Sequence, residues 1–178
     1  MNSGATWTAA LLASLTLAAC GGGSSGGNQS VGTGSGGGMP ATVSAKSVNG
    51  VGTVIVDGSG FALYSPDQEA SGTIMCVGAC TTLWPPVTVA AGATPTAGSG
   101  VTGTLGVVKR PDGSEQVTIN KRPLYRFVRD SSPGDANGNN VSDSFGSQSF
   151  TWHAMTASGQ PATSSGRGGG YGGYGGNG

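Results

Sequence analysis

The side chains able to do chemistry in this chain are few. Cys76 and Cys80 lie four apart, with Met75 beside them and His153 and Met155 near the far end of the same region. As thiolates, imidazole and thioethers, these groups suit Cu(I), which favours soft ligands. As an oxidised pair, Cys76 and Cys80 close a five-residue ring with Gly78 at its centre. Loop-closure entropy gives such a ring about 2 kcal/mol. In an exported chain, pairing is the expected state. Thr81 after Cys80 excludes a c-type haem site, and the spacing is one residue longer than the redox Cys-x-x-Cys.

Asp135, Asn137, Asn139 and Asp143 stand at positions 1, 3, 5 and 9 of a possible calcium loop. Gly146 replaces the bidentate Glu of position 12, and Asn140 replaces the Gly of the sharp turn. Such a site would bind calcium weakly, at about 10⁻⁴–10⁻³ M. A solvated Asn/Gly loop is the plainer reading. His153 is the sole histidine, which excludes His-rich zinc centres and two-His copper centres. No serine sits on a strand–turn–helix elbow, so no catalytic residue is assigned. Cofactors are therefore none, beyond weak calcium or copper.

Residues 109–129 hold six of the eight cations: Lys109, Arg110, Lys121, Arg122, Arg126 and Arg129. On a sheet edge they would discourage strand pairing. Alternatively they would meet anionic head groups or an anionic component of a cell envelope. Eight acidic residues balance the eight basic ones over the whole chain, which argues against a nucleic-acid partner.

The elements that must position these groups read as β. Residues 41–157 lack a sustained helical period and show short β-branched runs between turn signals. Val51–Val56, the Asp57-Gly58-Ser59-Gly60 turn and Phe61–Tyr64 form one expected hairpin. Thr104–Arg110, the Pro111–Ser114 turn and Glu115–Ile119 form a second, and Asn120-Lys121 turns the chain into Pro123–Val128. Further strands are expected at 42–48, 87–90 and 150–155, and one helical turn at Thr81–Leu83. Leu63-Tyr64 precedes Trp84, and Leu124-Tyr125 precedes Trp152, in two degenerate repeats at about 44–90 and 101–157. The expected fold is a mainly β, compact antiparallel barrel or sandwich built from both.

The ends differ from this body. Trp7–Ala19 is an apolar run of signal-peptide length, too short to span a bilayer. It ends in Leu17-Ala18-Ala19-Cys20, which resembles the lipobox of bacterial lipoproteins, although no Lys or Arg precedes it. Residues 1–19 are thus expected to be removed and Cys20 lipidated, anchoring the protein to a membrane. Gly21 in place of Asp after the lipidated cysteine favours the outer membrane where there is one. Residues 20–40 form a Gly/Ser-rich tether, and 158–178 an expected disordered Gly-rich tail. Gly32-x-Gly34-x-x-Gly37 and Gly22-x-Ser24-x-Gly26 mimic nucleotide and hydrolase motifs but lack the flanking strand and helix.

Tyr125-Arg126-Phe127-Val128-Arg129-Asp130 fits Tyr-x-(Phe/Trp/Tyr)-x-x-Asp. With the lipobox, the Cys76-x-x-x-Cys80 pair before Trp84-Pro85-Pro86, and Trp152-His153-Ala154, it resembles the bacterial secreted-repeat lipoproteins. The resemblance implies a lipid-anchored envelope protein of this repeat, with no established activity. The first copy differs, with Pro66 for the aromatic and Glu69 for the Asp after Tyr64. A working Tyr/Asp pair is therefore expected only in the second copy. Tyr125, Phe127 and Asp130 read as core packing closed by a capped loop, or else as a binding surface. The leading expectation is a non-enzymatic binding or structural module; the alternative is metal handling or electron transfer through Cys76, Cys80, His153 and nearby Met.

Overall fold

The computed structural model describes residues 43–163. The expected signal peptide, Cys20, the tether and the chain beyond 163 lie outside the described residues.

Turn chemistry fixes the strands. β1 (Val43–Val48) and β2 (Gly52–Asp57) form an antiparallel hairpin, closed where Gly50 takes a φ of 79°. β2 ends at Asp57, whose Oδ1 accepts from the amides of Ser59 and Phe61 at 2.8 and 3.1 Å. This Asx turn folds the chain back so that Ala62 bridges Val56. β3 (Tyr64–Pro66) runs into a single 3₁₀ turn, Asp67–Glu69, and α1 is the short turn Cys80–Leu83. β4 (Thr88–Val89) precedes the second hairpin, β5 (Leu105–Lys109) and β6 (Glu115–Ile119). Asn120 and Lys121, at φ 48° and 71°, then turn the chain tightly into β7 (Arg122–Pro123).

The sequence reading leaves 135–143 as a loop, whereas the structure places a strand, β8 (Val141–Phe145), over its end. Its polar residues mask a period of two: Val141, Asp143 and Phe145 turn inward while Ser142 and Ser144 face out opposite Thr151 and Ser149. β9 (Gln148–Ala154) alternates in the same way, burying Phe150, Trp152 and Ala154. Order also continues past residue 157. Ala162 donates its amide to Ala154 O at 2.8 Å and is buried. Pro161 and Ala162 are apolar, and they fold back antiparallel onto the end of β9, where Pro161 bridges Met155.

The architecture is mainly β and antiparallel, as expected, in three small sheets. These are β1-β2, β3-β9-β8, and β4-β6-β5 with β7 also on β6. They form no closed barrel among the described residues. Two apolar clusters lie between them. One gathers Tyr64, Trp84, Tyr125, Phe127, Phe150 and Trp152 with the two cysteines. The other gathers Val43, Ile55, Leu63, Val117, Ile119, Leu124 and Met155. Leu63-Tyr64 and Leu124-Tyr125 divide between them because neighbouring strand residues face opposite ways.

Candidate functional site

The two Leu-Tyr segments meet. Tyr64 and Tyr125 exchange backbone hydrogen bonds, each amide donating to the other's carbonyl at 2.9 Å. Their side chains then cross to the opposite repeat. Tyr64 Oη donates to Asp130 Oδ2 at 2.6 Å, and Tyr125 Oη donates to Glu69 Oε2 at 2.7 Å. Each acid stands five residues after one tyrosine and accepts from the other. The expectation that only the second copy keeps a working pair is therefore corrected. Glu69 is the first copy's acid, and both pairs form between copies.

Aromatic rings fill the space under these bonds. Trp84 and Trp152 stack at 3.9 Å and 8°, and Phe127 stacks on the other face of Trp84 at 4.3 Å. Tyr64 meets Trp84 edge-on at 5.5 Å, and Tyr125 meets Trp152 edge-on at 5.2 Å. This is the edge-to-face geometry that aromatic quadrupoles favour. Both indoles donate to one carboxylate: Trp84 Nε1 to Asp143 Oδ2 at 2.6 Å, Trp152 Nε1 to Asp143 Oδ1 at 3.0 Å. Gly138 lies so close that a Cβ there would stand 2.9 Å from the Trp84 ring.

On the Tyr125 side two buried charged groups, Glu69 and Arg110, are linked through the tyrosine hydroxyl. Glu69 is fully buried and Arg110 is 3% exposed. Arg110 donates to Tyr125 Oη at 3.4 Å, to Cys76 O at 2.8 Å and to Gln116 Oε1, and lies over the Tyr125 ring at 5.9 Å. Glu69 Oε1 accepts the amides of Met75 and Cys76. Cys76 and Cys80 form a disulfide with Cα atoms 5.3 Å apart. The ring's first residue is thus held at its amide by Glu69 and at its carbonyl by Arg110.

Burial first, then the adjacent Asp130 charge, pushes the Tyr64 hydroxyl pKa far above its ordinary value. Tyr125 is pushed up in the same way by burial and Glu69, with Arg110 opposing. Burial also raises Asp130, against the hydrogen bonds from Tyr64 and Asn137 that lower it. Both hydroxyls serve as hydrogen-bond donors here, to Asp130 and to Glu69.

The calcium-loop residues do not converge on one point. Asp135 Oδ2 accepts from the Ser131 and Ser132 amides, which lower its pKa, and so caps its own loop. Asn137 donates its amide to Asp130 Oδ1, and Asn139 Oδ1 accepts from the Ala154 amide. Asp143 faces the two indoles. His153 Nδ1 lies 3.0 Å from Asn140 Oδ1 and Nε2 lies 3.1 Å from Asp67 Oδ2. Among the described residues no cluster of three His, Cys, Asp or Glu side chains could hold a metal. The thiolate pair required for metal handling is a disulfide here.

The basic cluster also disperses. Arg110 is internal, Arg126 pairs with Asp57, and Arg122 lies 4.0 Å from Asp67. Glu69, Arg110 and Gly138 are the site residues that sequence reasoning missed. One signal for Glu69 was available, the equal spacing Tyr64–Glu69 and Tyr125–Asp130.

Fold and network together define a small antiparallel β module, closed by reciprocal tyrosine–carboxylate bonds over a tryptophan stack. Residues 106–155 match the family model Lipoprotein_15, described as a secreted repeat of unknown function. The match spans a segment that includes Tyr125, Asp130, Asp143 and Trp152, and the family's description as secreted supports export. Comparison with curated proteins and with solved structures gives no match.

Proposed function

We propose that this chain is a lipid-anchored, non-enzymatic module of the bacterial cell envelope, held at the outer membrane through Cys20. One observation supports the reading above others. The motif side chains Tyr64, Tyr125, Asp130, Trp84 and Trp152 are buried, and their polar atoms hydrogen-bond within the protein. Such a network holds a shape, and leaves no motif group facing solvent to turn over a substrate. The lipobox before Cys20 and the Gly/Ser tether supply the attachment.

The test is metabolic labelling of the full chain with radioactive palmitate, followed by membrane fractionation. The wild type is expected to take label and sediment with outer membranes. Cys20→Ala is expected to lose label. An exported wild type without label overturns the anchor.

A further inference from the structure

The outer edge of β5 has no strand paired to it among the described residues. The ladder shows which groups it presents. Asn120 donates to Thr104 O and Arg110 donates to Ser114 O, so the even-numbered residues of this segment bond to β6. The amides and carbonyls of Leu105, Val107 and Lys109 therefore point away from the sheet. β6 agrees, since Val117 on its other side donates to Val87 and accepts from Leu124. Val107 is 39% exposed, and β5 contains no Pro. A groove of about 660 Å³ runs along this strand, lined by Gly106, Val108 and Thr118 and walled by Ser71, Gly72 and Lys121.

Charge selects the occupant. Arg110, Arg122 and Arg126 are committed elsewhere and Arg129 lies outside this strand, whereas Lys109, across from Glu115, and Lys121 stand at the two ends of β5, and neither lysine is in a salt bridge among the described residues. Lys121 lies two residues past Ile119, the partner of Leu105. The two cations thus bracket roughly six residues of edge, about 20 Å at strand rise. Antiparallel pairing of two copies about Gly106 would set Lys109 of each opposite residue 103 of the other, at the level of its Lys121. Like charges oppose that dimer. An extended strand with acids at both ends meets the same edge with complementary charge.

We propose that the β5 edge docks an extended segment of a partner protein, apolar at its centre and acidic at both ends. This adds a partner to the envelope-module reading, yet fails separately: palmitate labelling tests the anchor, and peptide binding tests the edge.

The experiment titrates the isotope-labelled full chain, in detergent, with Glu-Val-Thr-Val-Thr-Val-Glu and with its Lys-ended counterpart. Amide signals of Leu105, Val107 and Lys109 are expected to shift saturably with the Glu-ended peptide alone. Charge reversal, K109E with K121E, is expected to weaken it about tenfold. Val107→Pro removes only an outward amide, so the melting curve should persist while binding disappears. Equal response to both peptides, or shifts located away from β5, overturns the proposal. So does self-association through β5 in the absence of peptide.

Discussion

The two tyrosine–acid pairs are alike in plan and unlike in surroundings. Tyr64–Asp130 lies against a loop: Asp130 is 7% exposed and takes its second hydrogen bond from the Asn137 amide. Tyr125–Glu69 lies inside: its carboxylate is fully buried, a guanidinium stands behind the phenol, and a disulfide ring hangs from both charges. One repeat supplies a peripheral acid and the other an internal acid. The longer side chain of Glu69 reaches three donors at once, so the first copy's departure from Asp adds contacts.

If the internal pair is the stronger lock, removing it should do the most harm. Glu69→Ala leaves the Met75 and Cys76 amides and the Tyr125 hydroxyl without their shared acceptor. The expected loss is about 4 kcal/mol in urea unfolding, enough to threaten a domain of ordinary stability. Asp130→Ala, nearer water, should cost about 1–2 kcal/mol. Equal losses would erase the distinction.

Alkaline titration addresses both pairs together. Both tyrosines have folded-state pKa values raised above the unfolded value of about 10. Their contribution is fully present below pH 10 and is lost as pH rises beyond it. With two protons held in the native state, stability should fall by up to about 2.7 kcal/mol per pH unit. Tyr64→Phe and Tyr125→Phe should each halve that slope, measured as urea midpoints from pH 9 to 11.

Smaller effects separate the sides. Reducing Cys76–Cys80 should cost about 2 kcal/mol and loosen only the Glu69 end, read as amide exchange at Met75 and Cys76. Gly138→Ala should cost about 1–3 kcal/mol through overlap with Trp84 and Tyr64, leaving that end protected. The smallest effect is acidic. Burial raises Asp130, so its share of stability is present below about pH 4 and lost as pH climbs through the raised value. Asp130→Asn should remove that decline from the acid limb of the stability curve.

Much of the fold was legible in the sequence where the determinants are local. Asp57-Gly58, Pro111–Ser114 and Asn120-Lys121 announce their turns through backbone preferences that need no tertiary partner. β8 was not legible, because its inward Asp143 reads as a solvated residue until the two indoles facing it are known. Arg110 looked like its cationic neighbours, although its place just after β5, opposite Ser114, turns it toward Gln116 and Cys76. The motif residues were legible as core. Their pairing was not, since Tyr64 reaches Asp130 across 66 residues and Tyr125 reaches Glu69 across 56. Spacing within a repeat carries no information about a bond made between repeats.

That exchange is the contact pattern of an isologous dimer, written within a single chain. In a two-fold pair, residue i of one subunit touches j of the other, and j touches i. A lone repeat with a tyrosine and an acid five residues on would satisfy itself only by meeting a twin. Cutting the connector between residues 90 and 101 would therefore leave two fragments with every incentive to reassociate. Joining two first-type or two second-type halves in tandem would ask which acid, internal or peripheral, can close both sides alone.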